Sequence, residues 1–72
     1  MKYLVIYERT ETGYSAYVPD LPGCIAVGSS FEETAELMRG AMQMHLDAMR
    51  QDGDVIPEPS TRADYIETPA AA

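Results

Sequence analysis

A single long amphipathic helix is the clearest pattern in this sequence of 72 residues. Ser30 precedes it and Glu33 follows three residues later, so the serine hydroxyl can accept from the Glu33 amide while the Glu33 carboxylate reaches back to the Ser30 amide. Gly53 ends the helix as a left-handed cap, and two prolines shortly afterwards prevent it from resuming. The pattern predicts a helix over residues 31–51.

The apolar surface of this helix is wider than one small sheet can cover. At 100° per residue, one row faces a sheet and has His45 at its edge: Phe31, Ala35, Met38, Met42, Leu46 and Met49. A second row lies beside the first and consists of Leu37, Ala41, Met44 and Ala48. Together the rows span about 200°, against about 100° for an ordinary surface helix. We expect the second row to be an oligomer interface; the alternative is that the C-terminal tail folds over it.

Three short segments before the helix have strand character, at residues 2–8, 14–18 and 24–28. Short loops join them, which predicts an antiparallel meander. Both faces of the first segment are apolar, so we expect it in the middle of the sheet with both sides at least partly covered. A short last strand over residues 64–68, at the sheet edge, is a further expectation.

The expected fold class is therefore α+β, with an antiparallel sheet of three or four strands and one long helix packed on a face. Residues 1–72 form a single domain, in which residues 60–72 are a partly flexible tail. A chain this short has a thin core. Cys24 and His45 are the only cysteine and histidine, which leaves no internal disulfide and argues against a zinc site. Association with other chains is the remaining source of stability, and we predict a homo-oligomer, a dimer or tetramer.

Charge and hydropathy narrow the class of partner. Five basic residues against twelve acidic ones give a net charge of −7, and the basic residues are scattered, so direct nucleic-acid binding is not expected. An acidic domain suits a basic protein partner, although the charge can also serve solubility alone. No apolar run reaches the ~18 residues of a membrane span. We predict a cytoplasmic protein without membrane contact.

Residues 17–24 read YVPDLPGC and favour a stiff turn. Pro19 lacks an amide donor and ends the second strand. The next four residues, from Leu21 to Cys24, match a type II turn in which Gly23 supplies the positive φ. Asp20 can accept from nearby backbone amides, and Leu21 can plug the end of the core.

The order of these parts resembles the HicB antitoxin family. The resemblance rests on Tyr14-x-Ala16-x-Val18-Pro19-Asp20-Leu21-Pro22-Gly23-Cys24, Gly28, Ser30-Phe31-Glu32-Glu33-x-Ala35, His45-Leu46 and Gly53-x-x-Ile56-Pro57-x-Pro59. It implies a β-β-β-α-β fold that is a degraded relative of ribonuclease H. It also implies an antitoxin that neutralises HicA, a small basic ribonuclease that cleaves messenger RNA. Family members commonly form dimers or higher oligomers.

Many members of the family also carry a C-terminal ribbon-helix-helix or helix-turn-helix domain that binds operator DNA. Only residues 60–72 follow Pro59 here, too few for either module. The expectation is a short form without a DNA-binding domain, either a minimal antitoxin or an orphan domain.

Three function hypotheses follow. The first is a toxin-binding module whose partner-binding residues are Asp20, Leu21, Glu32, Glu33 and Glu36; turn capping by Asp20 and helix capping by Glu33 are the structural alternatives. The second is an enzyme, for which the available groups are the Cys24–His45 pair or the carboxylates of Glu8, Asp20 and Asp64. We expect no catalysis, no cofactor and no metal. The third is an oligomeric scaffold or regulatory domain with another protein client.

Overall fold

The computed structural model describes residues 1–70 and shows three strands followed by one helix. The elements are β1 (Ile6–Arg9), β2 (Tyr14–Tyr17), β3 (Ile25–Gly28) and α1 (Phe31–Gln51). The predicted α+β class, with one long helix on an antiparallel sheet, is confirmed, and so are the helix bounds. Ala71 and Ala72, the end of the predicted flexible tail, lie outside the described residues.

The strand order is β1-β2-β3, with antiparallel pairing throughout. The prediction that the first strand lies mid-sheet is wrong, because β2 takes that position between its two hairpin neighbours. The first strand also begins later than predicted. Ile6 pairs with Tyr17, so the partner of Leu4 in the same register would be Pro19, which has no N–H to donate.

The predicted last strand over residues 64–68 is not present in the described chain. Tyr65 is 100% exposed, and the Asp64 carboxylate accepts from the Tyr65 N–H at 2.8 Å. A local side-chain acceptor of this kind competes with ladder pairing. Residues 63–65 border a groove with residues 4–7, but the segment does not join the sheet.

The core lies between the sheet and α1. Its buried apolar members are Ala16, Val18, Leu21, Cys24 and Met38, and half-buried residues pack around them: Tyr3, Val5, Tyr7, Ala26, Ala41, Met42, Leu46 and Met49. The first row of the helix therefore faces the sheet as predicted. Phe31 is the partial exception. It is exposed, and its ring packs 4.5 Å from that of Tyr7 and 5.8 Å from that of Tyr14, centroid to centroid.

A buried threonine joins the start of α1 to β3, although apolar periodicity does not predict a polar residue there. Thr34 is fully buried, and its hydroxyl donates to the Ser30 carbonyl at 2.7 Å. A Cβ placed on Gly28 would lie 2.6 Å from Thr34 Oγ1 and 2.9 Å from its backbone nitrogen. The missing side chain of Gly28 therefore allows the helix to approach the strand this closely.

The two ends of α1 are capped nearly as the sequence predicts. The Glu33 N–H donates to Ser30 Oγ at 3.0 Å, but the Glu33 carboxylate reaches one residue further back than predicted. It accepts from the N–H of Ser29 at 2.6 Å and from its hydroxyl at 3.0 Å. These bonds lower the pKa of Glu33, the backbone bond contributing most. At the other end Gly53 has a φ of 73°, which confirms the left-handed cap.

Candidate functional site

The YVPDLPGC segment forms two consecutive turns that close the end of the core. The Leu21 N–H donates to the Val18 carbonyl at 3.1 Å, and the Cys24 N–H donates to the Leu21 carbonyl at 3.0 Å. Gly23 has a φ of 86°, as the predicted type II turn requires. Leu21 is fully buried and fills the end of the core, as the plug role predicts; its contact with a partner stays a prediction.

Asp20 holds the C-terminal tail, which we define as residues 54–70. Its Oδ2 accepts from the backbone N–H of Ser60 at 2.9 Å and of Thr61 at 3.0 Å. Its Oδ1 accepts from the Thr61 hydroxyl at 2.6 Å and from the Ser60 hydroxyl at 3.2 Å. Neither turn capping nor partner contact, the two roles predicted for Asp20, accounts for these bonds.

The same four bonds set the protonation of Asp20. Donation by the Thr61 hydroxyl, and then by the backbone amides of Thr61 and Ser60, favours the ionised carboxylate and lowers its pKa from 3.8 to about 2. The Asp20 carboxylate therefore stays ionised, and able to accept these bonds, at neutral and mildly acidic pH.

Beyond this contact, the tail and β1 border an open groove of about 610 Å³. The strand side is formed by residues 4–7, the tail side by residues 63–65, and Phe31 lies at the start of α1. Tyr65 and Ile66 of the tail are exposed. The groove thus presents apolar side chains from three separate parts of the chain. A second bond holds the tail near its origin, where the Tyr3 hydroxyl donates to the Pro57 carbonyl at 2.5 Å.

The acidic start of α1 borders this groove through Phe31. Glu32 and Glu36 are exposed, and Glu36 forms an exposed ion pair with Arg39 at 2.7 Å. Such surface pairs contribute little to stability. Glu33 is committed to its cap but keeps its charge. Of the predicted partner-binding residues, the three glutamates therefore lie in the first two turns of α1, whereas Asp20 is bound to the tail.

The second row of the helix lies on the opposite flank, next to β3. Met44 is 74% exposed, and Leu37 is also exposed; Ala48 is exposed and Ala41 half-buried. Ala41, Met44 and His45 share a groove of about 330 Å³ with Gly23, Cys24 and Ile25, at the start of β3. The tail does not cover this row, so that alternative is wrong for the described part of the chain.

Two of the groups considered for catalysis, Cys24 and His45, line the same groove. Cys24 Sγ lies 3.9 Å from Met38 Sδ, and burial raises the pKa of its thiol, which is opposite to the shift that activates a nucleophile. Asp20 and Asp64 each accept bonds from the tail backbone. Within residues 1–70 no group of three or more His, Cys, Asp or Glu side chains could hold a metal ion. No helix in that range is long and apolar enough to cross a membrane.

Comparison with known proteins shows the family. A family model described as the HicB-like antitoxin of a bacterial toxin–antitoxin system matches residues 3–72. Antitoxin HicB 2 of Photorhabdus laumondii subsp. laumondii is 33% identical over 72 residues, covering 99% of this chain and 52% of that protein. A 14.9 kDa protein from the rep-hol intergenic region of Haemophilus phage HP1 is 30% identical over 69 residues, covering 96% of this chain and 52% of the phage protein. A UPF0150 protein of Archaeoglobus fulgidus is 34% identical over 59 residues, covering 78% of this chain and 86% of the archaeal protein.

The family match over residues 3–72 defines the class of this β-β-β-α chain as an antitoxin-type domain. This chain belongs to the HicB-like antitoxin family, which confirms the resemblance seen in its sequence. It spans about half the length of the phage and Photorhabdus relatives.

Proposed function

We propose that this chain is the toxin-binding part of an antitoxin that neutralises a small, basic, HicA-like ribonuclease by covering its surface. The observation that carries the proposal is the family match over residues 3–72. The alternative is an oligomeric scaffold or regulatory domain with another protein client. Both functions require a protein-binding surface, so the two differ in the partner that the surface recognises.

Charge favours a basic partner. The chain has a net charge of −7, and Glu32, Glu33 and Glu36 lie in the first turns of α1. Opposite charge on a toxin speeds the encounter and disfavours wrong partners. Asp20 contributes a carboxylate that stays ionised, although its oxygens already hold the tail.

We place the toxin-binding surface where acidic and apolar groups meet. Phe31 lines the groove between β1 and the tail, and Glu32 follows it directly on the exposed side of α1. The groove offers apolar area for affinity, and the carboxylates beside it offer orientation. Interfaces commonly combine such an apolar centre with a charged rim.

The test is binding to the basic protein of about 60–80 residues that the family resemblance leads us to expect from the adjacent reading frame. Native mass spectrometry should show a complex, and E32K/E36K should slow association about tenfold at low salt, with a smaller effect at high salt. The control D52K/D54K makes the same charge change about 30 Å away at the other end of α1 and should have a much weaker effect. Absence of a complex with the unmodified chain would overturn the proposal.

We assign the chain a binding role without catalysis, a cofactor or a metal, in the cytoplasm where messenger RNA is the toxin's substrate. The buried Cys24 thiol and the engaged carboxylates of Asp20 and Asp64 support this assignment. Cleavage of RNA by the pure chain with magnesium, lost on D20A substitution, would contradict it.

We further propose that the chain self-associates through the second helix row. Met44 and Leu37 expose large apolar side chains there, while the described core contains only five buried apolar residues. A core this small leaves part of the stability to be supplied by a partner subunit.

A further inference from the structure

The free edge of the sheet at β3 has hydrogen-bonding groups that no described segment uses. β3 pairs with β2 on one side and with no described strand on the other. At its start, the Val18 N–H donates to the Cys24 carbonyl at 3.2 Å. Backbone groups alternate in direction along an antiparallel strand. Since the backbone carbonyl of Cys24 points toward β2, the backbone groups of Ala26 and Gly28 do so too. The N–H and C=O groups of Ile25 and Val27 therefore point outward, away from β2.

This edge lacks the features that normally protect an edge strand. Residues 24–29 contain no charged residue and no proline, and the register of β3 with β2 is free of bulges. Ile25 is 66% and Val27 64% exposed. An exposed, regular, uncharged edge is a template for pairing with another strand. The opposite edge, β1, carries Glu8 and Arg9 and has the tail beside it.

We propose that β3 pairs antiparallel with β3 of a second copy, with a two-fold axis at Ala26, to form a continuous six-stranded sheet. In this register Ile25 of each copy lies opposite Val27 of the other. The outward groups of these residues then form four backbone hydrogen bonds, and two apolar β-branched side-chain pairs form on the exposed face. Ala26 lies directly opposite Ala26 of the second copy. This is a non-hydrogen-bonded pair, in which the two Cα atoms are closer than in a hydrogen-bonded pair, so a small side chain fits.

The same two-fold axis would also cover the exposed apolar side chains of the second helix row. An axis perpendicular to the sheet keeps both helices on one face and sets them side by side, antiparallel. The groove shared by Ile25, Ala41 and Met44 shows that the row adjoins the β3 edge. One symmetric contact therefore covers the strand edge and the exposed Met44 and Leu37 together, as an isologous interface requires. The inference deepens the proposed self-association and does not depend on toxin binding.

The charge pattern favours a second copy as the occupant of this edge over a basic partner. A chain of net charge −7 repels itself except where its surface is uncharged, and the β3 edge and the second row carry no charged residue. A basic partner would instead be recognised by carboxylates. Added salt should therefore tighten the proposed dimer by screening its net charge, whereas it should weaken the complex with a basic toxin.

The register can be tested by a cysteine at the axis. In a Cys24→Ala background, Ala26→Cys should form a disulfide-linked dimer under mild oxidation, because Cα atoms of a non-hydrogen-bonded pair lie about 4.5 Å apart, within disulfide range. Ser15→Cys in the same background, on the central strand, is the control. We expect at least about tenfold more linked dimer from the axis variant on non-reducing gels.

A second variant does not depend on cysteine chemistry. Val27→Lys should convert the unlinked chain to monomer in sedimentation, with Ser15→Lys as the control on the same face of the sheet. The β3 pairing would be overturned if the dimer survives Val27→Lys and the axis cysteine forms no disulfide. If the same dimer dissociates on Met44→Glu, self-association through the helix row stands. An unmodified chain that is monomeric at all accessible concentrations would overturn both.

Discussion

Asp20 shows how one carboxylate joins distant parts of a small chain. Its oxygens accept four hydrogen bonds from residues about forty positions away. Two of the donors are backbone amides of a tail without regular secondary structure, which would otherwise bond to water. The contact is therefore expected to hold the tail in place beside β1 while the carboxylate is ionised.

We predict that Asp20→Ala releases the tail. Protection of the Ser60 and Thr61 amides against hydrogen exchange should fall roughly two- to tenfold, since both amides lose their acceptor. Asp64→Ala, which removes another tail carboxylate, should leave that protection unchanged. Equal protection in the Asp20 variant and the unmodified chain would show that the carboxylate does not hold the tail.

The same contact should depend on pH in a defined direction. The pKa of Asp20 is lowered in the folded chain from 3.8 to about 2, so its stabilising contribution is fully present above about pH 4 and is lost as the pH falls through about 2. The amide resonances of Ser60 and Thr61 should report this titration, and Asp20→Asn should abolish it.

At the level of secondary structure elements, the approach of α1 to β3 depends on Gly28. A methyl group there would overlap Thr34 Oγ1 at 2.6 Å, and Thr34 is fully buried and bonded to the Ser30 carbonyl. Moving this side chain would break its bond to the Ser30 carbonyl, and the backbone nitrogen of Thr34, 2.9 Å from the added methyl group, cannot rotate away. The start of the helix would have to shift away from the sheet.

We predict opposite effects of alanine at two glycines. Gly28→Ala should lower the free energy of unfolding by about 1–3 kcal/mol because it overpacks the helix–strand contact. Gly40 lies in the interior of α1, where a Cβ would meet nothing within 4 Å. Gly40→Ala should raise the free energy of unfolding by about 0.5–1 kcal/mol, because alanine loses less conformational entropy than glycine in a helix. Urea denaturation measures both. Similar stabilities for the two variants would contradict the packing described at Gly28.

For the whole molecule, the described core is small and two apolar surfaces remain open. The helix covers one face of the sheet, which leaves Ile25 and Val27 exposed on the other. The tail lies beside β1 and covers neither these residues nor the second helix row. The acidic flank near β1 is therefore separate from the β3 edge and the second row, which contain no charged residue, although Glu33 accepts from Ser29 next to the end of β3. We assign toxin binding to the first surface and self-association to the second.

We predict that Met44→Glu weakens self-association at least about tenfold, because it places a charge in an apolar contact. Gln43→Glu is the matched control. It adds the same charge on the neighbouring residue, which lines a groove with Tyr3 on the other flank, and should leave the oligomer intact. Sedimentation over a concentration series measures both. If the two variants sediment alike, the second row is not the interface.

Local patterns determined the parts of this fold that depend on near neighbours. The α1 bounds, the Gly53 cap, the Gly23 turn and the three-strand meander followed from the sequence, because capping, positive φ and apolar periodicity act within a few residues. The motifs from Tyr14 to Pro59 also indicated the family. The candidate glutamates were proposed because they cluster in the first turns of α1, and their contact with a partner stays a prediction.

Tertiary structure decided what depends on residues distant in the sequence. Asp20 holds Ser60 and Thr61, Leu21 is buried, and Thr34 packs on Gly28, and no local pattern distinguishes these roles from turn capping, partner contact or a polar surface. β1 lies at an edge because the tail forms no strand beside it. Such outcomes depend on which backbone groups and surfaces remain unsatisfied after the chain has folded, and only the three-dimensional arrangement shows that the β3 edge and the second helix row adjoin.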